Sequence, residues 1–429
     1  MRLSRRDLLG GALASLAGCT APHPPPDPAS RATGPVSVSV SVPAPGSVPA
    51  PVSVSVPAPV SVPVSVPVSV PVPVSVSVSV LPLLRAFPAL APHLPHLPLG
   101  SFPTPLDRAD TLGRVIGVDS LWVKRDDVAG ARYGGGKTRK LELLLADARA
   151  QHARTVVTFG AVGSNQAVAT AIYATELGMK VLLLLLPGPR DARVRDNLLA
   201  ALHAGADIRL SPAPARAEAA ARRIALRDHD DAAPYLVPTG GSTPLGNAAF
   251  VNAAFELRAQ IDAGAMPAPD VVYIALGTMG SAAGLAVGLH AAGLHCELVA
   301  VRASNPGTST EGAFHGAMQE TTAFLRAADA TFPAPAMAAT TRVAARHLGR
   351  GYGLPTPEGL RAIELARTHA GLELEPVYTA KALAALVTEA PRLAGKVVLF
   401  WNTHNSRPLA LGDADWRALP RELHAYFAT

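Results

Sequence analysis

The sequence predicts an α/β protein with two domains, each an open, twisted parallel sheet that carries helices on both faces. From Leu121 onward, apolar runs of strand length alternate with helical patterns, which is typical of such sheets. The chain has 429 residues, of which 49% are hydrophobic, and this is enough for two α/β domains that share a core. The strand-length runs are Thr155–Phe159, Val181–Leu186, Val271–Leu276, Leu298–Val301 and Val397–Trp401.

The first nineteen residues are predicted to be a targeting segment. Ser4–Leu9 contains the arginine pair of a twin-arginine export signal, and the apolar stretch after it is too short for an ordinary membrane span. Leu16–Cys19 resembles a lipoprotein processing box, with Cys19 as the lipidated residue. The two signals in this order predict a periplasmic or cell-surface lipoprotein whose only membrane contact is its lipid anchor. A chance basic and apolar start is the alternative.

Residues 20–84 are predicted to be a disordered low-complexity linker rich in proline, valine and serine. No charged residue occurs between Ala32 and Leu84. Val-Ser alternation alone would suggest strands, but the recurring prolines remove ladder donors and favour polyproline II. About 50 such residues at roughly 3.1 Å each would form a stalk of about 150 Å. A recently expanded tract without a role is the alternative.

The remaining composition argues against two classes of partner. The net charge of +6 is spread along the chain, with no basic run beyond Arg5 and Arg6, and this disfavours nucleic-acid binding. No spacing of His, Cys, Asp and Glu predicts a metal site. Only Cys19 and Cys296 are cysteines, so lipidation of Cys19 would leave no intramolecular disulfide.

The stretch from Lys124 to Gln166 contains the most informative residues. Lys137 follows three glycines and opens a helical pattern, where the helix dipole favours loss of the amine proton and suits a nucleophile or Schiff-base former. Ser164–Gln166 follows an apolar strand and opens the next helix. On sequence alone, a plain helix start and a helix cap remain open for these residues. A P-loop fails because Ala131 stands where its first glycine is required.

A second glycine-rich turn follows the run Val271–Leu276. Gly277–Gly284 leads into a helix, and backbone N–H groups at such a turn can approach a phosphate closely. The turn is not a G-x-G-x-x-G dinucleotide fingerprint. By itself it is weak support for phosphate binding.

Together these motifs resemble the pyridoxal-phosphate (PLP) family of 1-aminocyclopropane-1-carboxylate (ACC) deaminases and D-cysteine desulfhydrases, which have the tryptophan-synthase-β-like fold. The matching stretches are Val123–Asp127, Gly134–Glu142 and Gly160–Gln166, and the similarity runs from about Arg85 to the C-terminus. The resemblance implies a large domain (residues 85–139 and 247–429), an inserted small domain (140–246), PLP in the cleft between them, and a homodimer.

The resemblance also implies roles for single residues. Lys137 is expected to hold the cofactor, and both Lys137 and Ser164 are expected to be catalytic. The turn Gly277–Ser281, which follows the run Val271–Leu276, is expected to bind the cofactor phosphate. The substrate carboxylate is expected to contact Ser164, Asn165 and Gln166, with Asn165 also near the cofactor ring. The phosphate loop comprises Gly277, Thr278, Met279, Gly280 and Ser281, and Ala282 stands where the family usually has glutamine.

Two C-terminal segments resemble further family motifs. Gly351–Gly359 is similar to the YG-x-P segment, and Glu375–Lys381 is similar to the D-P-V-Y-[TE]-G-K segment. The resemblance makes Tyr352 and Tyr378 catalytic and substrate-binding residues. As sequence alone, tyrosines of this kind are more often half-buried packing residues with a satisfied hydroxyl.

Thr379 is the position that best separates the activities of the family. ACC deaminases carry glutamate there, close to the pyridine nitrogen, whereas D-cysteine desulfhydrases carry threonine. A neutral hydroxyl gives a weaker electron sink, and this favours elimination of a good leaving group over ring opening. Three departures from the family are Gly136 for asparagine, Ala380 for glycine, and Thr403–Arg407 where better-known members have T-G-G.

The predicted function is PLP-dependent β-elimination from a small D-cysteine-like amino acid, giving a 2-oxo acid, ammonia and sulfide. ACC deamination to 2-oxobutyrate is the first alternative. Racemisation or dehydration on the same scaffold is the second. The third is a surface-tethered binding protein that has lost catalysis.

Overall fold

The computed structural model describes residues 81–211, 214–334 and 341–428. The predicted export signal, the lipidation site at Cys19 and the predicted linker up to residue 80 lie outside these residues. Within them, none of the helices is both long and apolar enough to cross a membrane.

The order of elements alternates as the sequence predicts. The helices are α1 (Pro82–Ala86), α2 (Asp110–Ile116), α3 (Gly136–Ala150), α4 (Asn165–Glu176), α5 (Ala192–His203), α6 (Pro214–His229), α7 (Pro244–Asp262), α8 (Gly280–Ala291), α9 (Glu311–Ala328), α10 (Pro357–Ala370) and α11 (Thr379–Glu389). The strands are β1 (Leu106–Arg108), β2 (Ser120–Lys124), β3 (Thr155–Ala161), β4 (Lys180–Leu186), β5 (Asp207–Leu210), β6 (Tyr235–Val237), β7 (Val271–Leu276), β8 (Glu297–Arg302), β9 (Thr341–Ala344) and β10 (Val397–Trp401). All five strands predicted from apolar runs are confirmed.

A six-stranded sheet in the order β1-β2-β10-β7-β8-β9 forms the larger part of the molecule. Its strands are parallel except β1, a three-residue edge strand that pairs antiparallel with β2. Alternate residues of β7 point to opposite faces: Val272 and Ile274 pack in one core cluster, and Val271 and Tyr273 pack in another. Helices cover both faces, and the central strands β7 and β10 are accordingly apolar throughout.

A four-stranded parallel sheet in the order β5-β4-β3-β6 forms the smaller part. One face packs against α3, α4 and α5, and residues of α6 pack on the other. The C-terminal segment, predicted to belong to the large domain, places Leu419, Leu423 and Tyr426 in the core of the small sheet. Apart from this segment, the two sheets fall within the residue ranges expected for the two domains.

The folded chain begins earlier than the predicted end of the linker at residue 84. Proline at the first position of α1 suits a helix start, and Leu83 is fully buried. The Leu83 N–H donates to Asn252 Oδ1 of α7 over 3.0 Å. The uncharged, proline-rich composition does continue to Leu84, but burial of the Leu81 and Leu83 side chains fixes these last residues against the large core.

Candidate active site

The segments that carry the predicted site residues meet at the carboxyl ends of the parallel strands. The start of α3 lies beside the end of β10, where Gly136 N donates to Thr403 O over 3.2 Å. The start of α8 follows directly after β7, and the start of α4 follows β3. Ligands of open α/β sheets bind at this edge, because the loops and helix N-termini converge there.

Lys137 lies in the first turn of α3, as predicted. Burial lowers the pKa of its amine to about 8. Since an ordinary lysine has a pKa near 10.4, a much larger fraction of the Lys137 amine is neutral at physiological pH. A neutral amine is the reactive form of a lysine nucleophile or base.

Lys140, one turn further along α3, is a second buried amine that the sequence motifs did not single out. Its Nζ is fully buried and donates to Gly240 O over 3.1 Å and to Ser242 Oγ over 3.3 Å. In the described part of the chain, no carboxylate forms an ion pair with it. Burial, together with the nearby charge of Lys137, lowers the Lys140 pKa well below its ordinary value.

Lys140 is part of a polar cluster around the glycine-rich turn after β7. Ser242 Oγ lies 2.8 Å from Thr278 Oγ1. A Cβ on Gly280 would stand only 2.6 Å from both Lys140 Nζ and Ser242 Oγ, so this glycine leaves room at the centre of the cluster. Asn247 Oδ1, which borders the same position, is buried without a hydrogen-bond partner. The phosphate cluster, as we call Lys140, Ser242, Asn247, Thr278 and Gly280, therefore offers a cation, hydroxyls and a helix N-terminus without a bound acid.

Met279 has an unusual backbone conformation in this turn. Its φ of 60° and ψ of −39°, with a 2.8 Å hydrogen bond from Gly280 N to Thr278 O, define a γ-turn directly before α8. Such a turn is rare and strained for a residue with a side chain. The turn places the start of α8 beside the polar groups of the phosphate cluster.

Ser164, Asn165 and Gln166 start α4, but they face in different directions. Ser164 caps the helix, accepting from Ala167 N, and Asn165 Oδ1 accepts from Asn197 Nδ2 over 3.3 Å. Both are half-buried. Gln166 is only 2% exposed, and its Nε2 donates to Thr170 Oγ1 within α4. Ser164 and Asn165 are therefore the more accessible members of the trio, whereas the Gln166 side chain is buried with its Oε1 unpartnered.

The two predicted tyrosines are brought together. Tyr352 and Tyr378, 26 positions apart, have hydroxyls 2.9 Å apart and rings in edge contact. Lys381 supports the loop of Tyr352, since its buried Nζ donates to Leu348 O over 3.0 Å. Burial raises the pKa of both tyrosines, that of Tyr378 strongly. Each hydroxyl therefore keeps its proton over the physiological range. Gly277 lies against the Tyr378 ring, which connects this pair to the glycine-rich turn.

Residues 97–403 match the protein family described as pyridoxal-phosphate dependent enzyme. The chain belongs to this family. The match confirms the predicted family and cofactor, and it makes the protein a PLP-dependent enzyme.

Two relatives and one solved structure resemble this PLP-dependent enzyme over most of its folded part. It is 35% identical over 327 residues to nocardicin C-9' epimerase of Nocardia uniformis subsp. tsuyamanensis, covering 73% of this chain and 94% of the relative. It is 33% identical over 299 residues to D-cysteine desulfhydrase of Salmonella paratyphi B, covering 68% and 88%. The solved structure, an ACC deaminase homologue, is 29% identical with a TM-score of 0.65, covering 74% and 94%. The predicted fold class is confirmed.

The residues of the site fit PLP. A phosphate in the phosphate cluster would give Lys140 the anionic partner that it lacks, and backbone N–H groups at the start of α8 would complete its hydrogen bonds. Lys137, on the same helix one turn away, supplies the amine that PLP requires. The predicted turn Gly277–Ser281 would thus supply only part of the groups that bind the phosphate.

Thr379 is held by the carboxylate of Glu375, the first residue of its motif segment. Glu375 is buried, and its side chain accepts from the N–H groups of Val377, Tyr378 and Thr379 at the start of α11. The Thr379 hydroxyl accepts from Glu375 N over 3.1 Å. Since its oxygen lies 3.4 Å from Glu375 Oε1, a glutamate at position 379 would bring two buried carboxylates together. The neutral threonine avoids this repulsion.

The departures from the family pattern have steric and hydrogen-bonding reasons. A side chain at Gly136 would collide with the Phe250 ring, whose Cζ stands 2.7 Å from the Cβ position. Ala380 is fully buried with its methyl against Gly359. In the Thr403–Arg407 loop, Asn405 Oδ1 accepts from Gly134 N over 2.6 Å, and Ser406 Oγ donates to Asp127 Oδ2 over 2.8 Å. These two hydrogen bonds hold the loop against the segment that precedes Lys137.

A buried ionic network holds the base of α3. Arg139 donates to Asp126 Oδ1 over 2.7 Å and to Glu256 Oε2 over 2.8 Å, and Lys124 Nζ donates to Glu256 Oε1 over 2.6 Å. Asp126 O also accepts from Gly135 N. Among the basic residues from Lys124 to Lys140, all of which the structure describes, only Lys137 and Lys140 lack an acidic partner.

Proposed function

We propose that this PLP-dependent enzyme catalyses β-elimination from a small amino acid, with D-cysteine as the model substrate. The products are a 2-oxo acid, ammonia and sulfide, and one water is consumed. The observation that carries the proposal is the position of Lys137 at the start of α3, one helical turn from the phosphate cluster, where burial lowers the pKa of its amine to about 8. The 33% identity to D-cysteine desulfhydrase and the neutral Thr379 support the choice of substrate.

PLP, when bound, supplies the electron sink for the negative charge that develops at the substrate Cα. Lys137 and the phosphate cluster hold it. The Ser164 hydroxyl and the N–H groups at the start of α4 bind the substrate carboxylate, and Asn165, fixed by Asn197, borders the same position. The Lys137 Nζ accepts the Cα proton, for which its lowered pKa suits it.

The tyrosine pair assists the leaving group. Because burial keeps the Tyr378 hydroxyl protonated, it acts as a hydrogen-bond donor to the departing sulfur rather than as a base. Tyr352, 2.9 Å away, orients that hydroxyl. The Cα–H and Cβ–S bonds break, sulfur leaves with the bonding electrons, and hydrolysis gives pyruvate, ammonia and hydrogen sulfide from cysteine.

The test uses the full chain loaded with PLP, with D-cysteine, L-cysteine, D-serine and ACC as substrates. We expect sulfide and pyruvate from D-cysteine, and no 2-oxobutyrate from ACC. Lys137→Ala is expected to lose both turnover and the visible absorbance of covalently bound PLP. Lys180 lies at the amino end of β4, away from the site, and Lys180→Ala is the control that should keep both turnover and absorbance. Turnover and absorbance that survive in Lys137→Ala would remove Lys137 from the scheme.

Epimerisation is a second candidate, because the nocardicin C-9' epimerase likeness covers 94% of that relative. Both reactions begin with loss of the Cα proton, and they differ in whether a group leaves Cβ. Proton NMR in D2O separates them: deuterium at Cα with inversion and no pyruvate indicates epimerisation. Cofactor absorbance without turnover or exchange on any substrate would indicate a binding protein that has lost catalysis.

We also propose that the protein is exported by the twin-arginine pathway, anchored by a lipid at Cys19, and active as a homodimer. The order of the arginine pair, apolar stretch and Cys19 supports the anchor. In a membrane fractionation, Cys19→Ala should move the protein to the soluble periplasmic fraction. Light scattering of that soluble form at twice the 44.1 kDa chain mass would support the dimer.

A further inference from the structure

Arg193, in the first turn of α5, lies beside the turn that begins α4. Its Nη1 donates to Gly163 O over 3.1 Å, and Asn197 Nδ2 donates to the same oxygen over 2.9 Å. Gly163 immediately precedes Ser164, the residue that we assign to the substrate carboxylate. The guanidinium group is therefore fixed next to the substrate position rather than extended into solvent.

The charge of Arg193 is incompletely matched by the protein. Its Nε is shielded from solvent, and no acceptor among the described residues lies within hydrogen-bond distance of it. Asp191 Oδ2 is 3.5 Å from Nη2, but this carboxylate is 39% exposed and caps α5 through Val194 N. A buried guanidinium N–H without an acceptor is costly in a protein alone, and it is satisfied when an anion binds.

The loop before α5 also contacts the loop of the tyrosine pair. Pro189 Cγ lies 2.6 Å from the position that a Cβ on Gly353 would occupy, directly after Tyr352. Burial raises the pKa of Tyr352 and Tyr378, and the Arg193 charge opposes that rise, which places the guanidinium within electrostatic range of both hydroxyls. Arg193 thus stands between the Ser164 turn and the tyrosines.

Arg193 supplies the positive charge on this side of the cleft, because the neighbouring His404 and Glu375 offer none. Burial lowers the pKa of His404, so its imidazole is neutral near pH 7, and its Nδ1 is buried without a partner. The carboxylate of Glu375 accepts three backbone N–H groups of α11 and is already satisfied. A second anion in the cleft would meet the Arg193 guanidinium and neutral hydrogen-bonding groups.

We propose that Arg193 binds a second negative charge of the substrate, so that the preferred substrates are 2-amino acids whose β-substituent is anionic. This inference rests on the proposed elimination and names its substrate class. The α-carboxylate is held on the Ser164 side of Gly163, and the β-substituent points toward Arg193 and the tyrosine pair. For a sulfate ester, the Cα–H and Cβ–O bonds break and sulfate leaves with the bonding electrons. Water then gives pyruvate and ammonia.

The first experiment compares two substrates of the full-chain holoenzyme that both carry good leaving groups. D-serine O-sulfate has the second negative charge, and β-chloro-D-alanine does not. We expect Arg193→Gln to lower kcat/KM for the sulfate about tenfold or more and for the chloride less than threefold. Arg193→Lys, which keeps the charge, should restore part of the loss. Arg190→Gln, an exposed arginine over the Tyr426 ring, is the matched control and should change neither value.

A calorimetric titration of the holoenzyme with D-aspartate and D-alanine tests recognition without turnover. The wild type should bind D-aspartate more tightly, and Arg193→Gln should remove that preference. Equal losses for both ligands would assign Arg193 to the α-carboxylate and overturn the proposal, as would a wild type without preference. A protein that prefers D-aspartate through Arg193 and yet eliminates neither D-serine O-sulfate nor β-chloro-D-alanine is a further outcome. That result would support the anion site and reject the proposed elimination.

Discussion

Replacing Lys140 by methionine should separate cofactor affinity from stability. The Lys140 amine is fully buried, donates to Gly240 O and Ser242 Oγ, and has no carboxylate partner in the described chain. In the proposed holoenzyme the cofactor phosphate would be its anionic partner, whereas in the apoprotein it is a buried amine without a counterion. Methionine has a similar shape and no charge, so Lys140→Met should weaken PLP binding and not destabilise the apoprotein.

The magnitudes follow from these contacts. Loss of one charge-assisted hydrogen bond to a phosphate costs about 1.5–3 kcal/mol, which raises the PLP dissociation constant about 10- to 150-fold. The apoprotein should gain about 1 kcal/mol or more, because the cost of burying an amine without a counterion is removed. Burial lowers the Lys140 pKa, so the folded apoprotein binds fewer protons than the unfolded chain between that lowered pKa and the unfolded value near 10.5. Wild-type apoprotein stability should therefore rise with pH in this window, and the variant should lose a slope of up to about 1.4 kcal/mol per pH unit.

PLP titration by absorbance and urea unfolding of the apoprotein at several pH values measure both effects. Lys381→Met is a suitable control, since Lys381 is also a buried lysine that donates to backbone carbonyls, but it supports the Tyr352 loop. It should leave PLP affinity within about threefold of the wild type. If Lys140→Met bound PLP as tightly as the wild type, the phosphate cluster would be assigned to the wrong residues.

Three further predictions concern the same site. Gly240→Ala should reduce PLP affinity at least about tenfold, because φ is +71° and the methyl would overlap Thr278 Oγ1; Gly264→Ala, with φ of +78° and open space around it, is the control that should keep affinity. Tyr378→Phe should lower kcat for elimination about 10²-fold without changing PLP absorbance, and a smaller kcat loss than in Tyr352→Phe would reverse their roles. Covalent uptake of PLP by the apoprotein should accelerate as pH rises through about 8, the Lys137 pKa, and a midpoint above 10 would contradict burial of that amine.

The residues that begin elements at the carboxyl edge of the sheets were predictable from the sequence. Lys137 after three glycines and Ser164 after an apolar run are local patterns, since a strand, a turn and a helix start occupy neighbouring positions in the chain. The glycine-rich turn after β7 is recognisable for the same reason. Lys140 could have been noticed too, because a residue three positions after Lys137 lies on the same helix face.

Interactions between distant positions explain what the sequence pattern missed. Ser242 and Asn247 meet Lys140 from about a hundred positions away in the chain, and Glu375 restrains Thr379 through backbone N–H groups. Gln166 follows the same motif as Ser164, yet it faces inward because a helix turns successive side chains by about 100°. No local signal distinguishes the two.

The sequence by itself determined the alternation of strands and helices and the lysine on which the chemistry depends, since both are set by short-range periodicity and helix-start geometry. Tertiary structure decided which polar groups are left without partners. Arg193 and Arg139 are both arginines near a helix start. Two carboxylates accept hydrogen bonds from Arg139, whereas the Nε of Arg193 has no acceptor among the described residues. Burial and partners, which only the folded chain supplies, make one arginine structural and give the other a charge that can recognise a ligand.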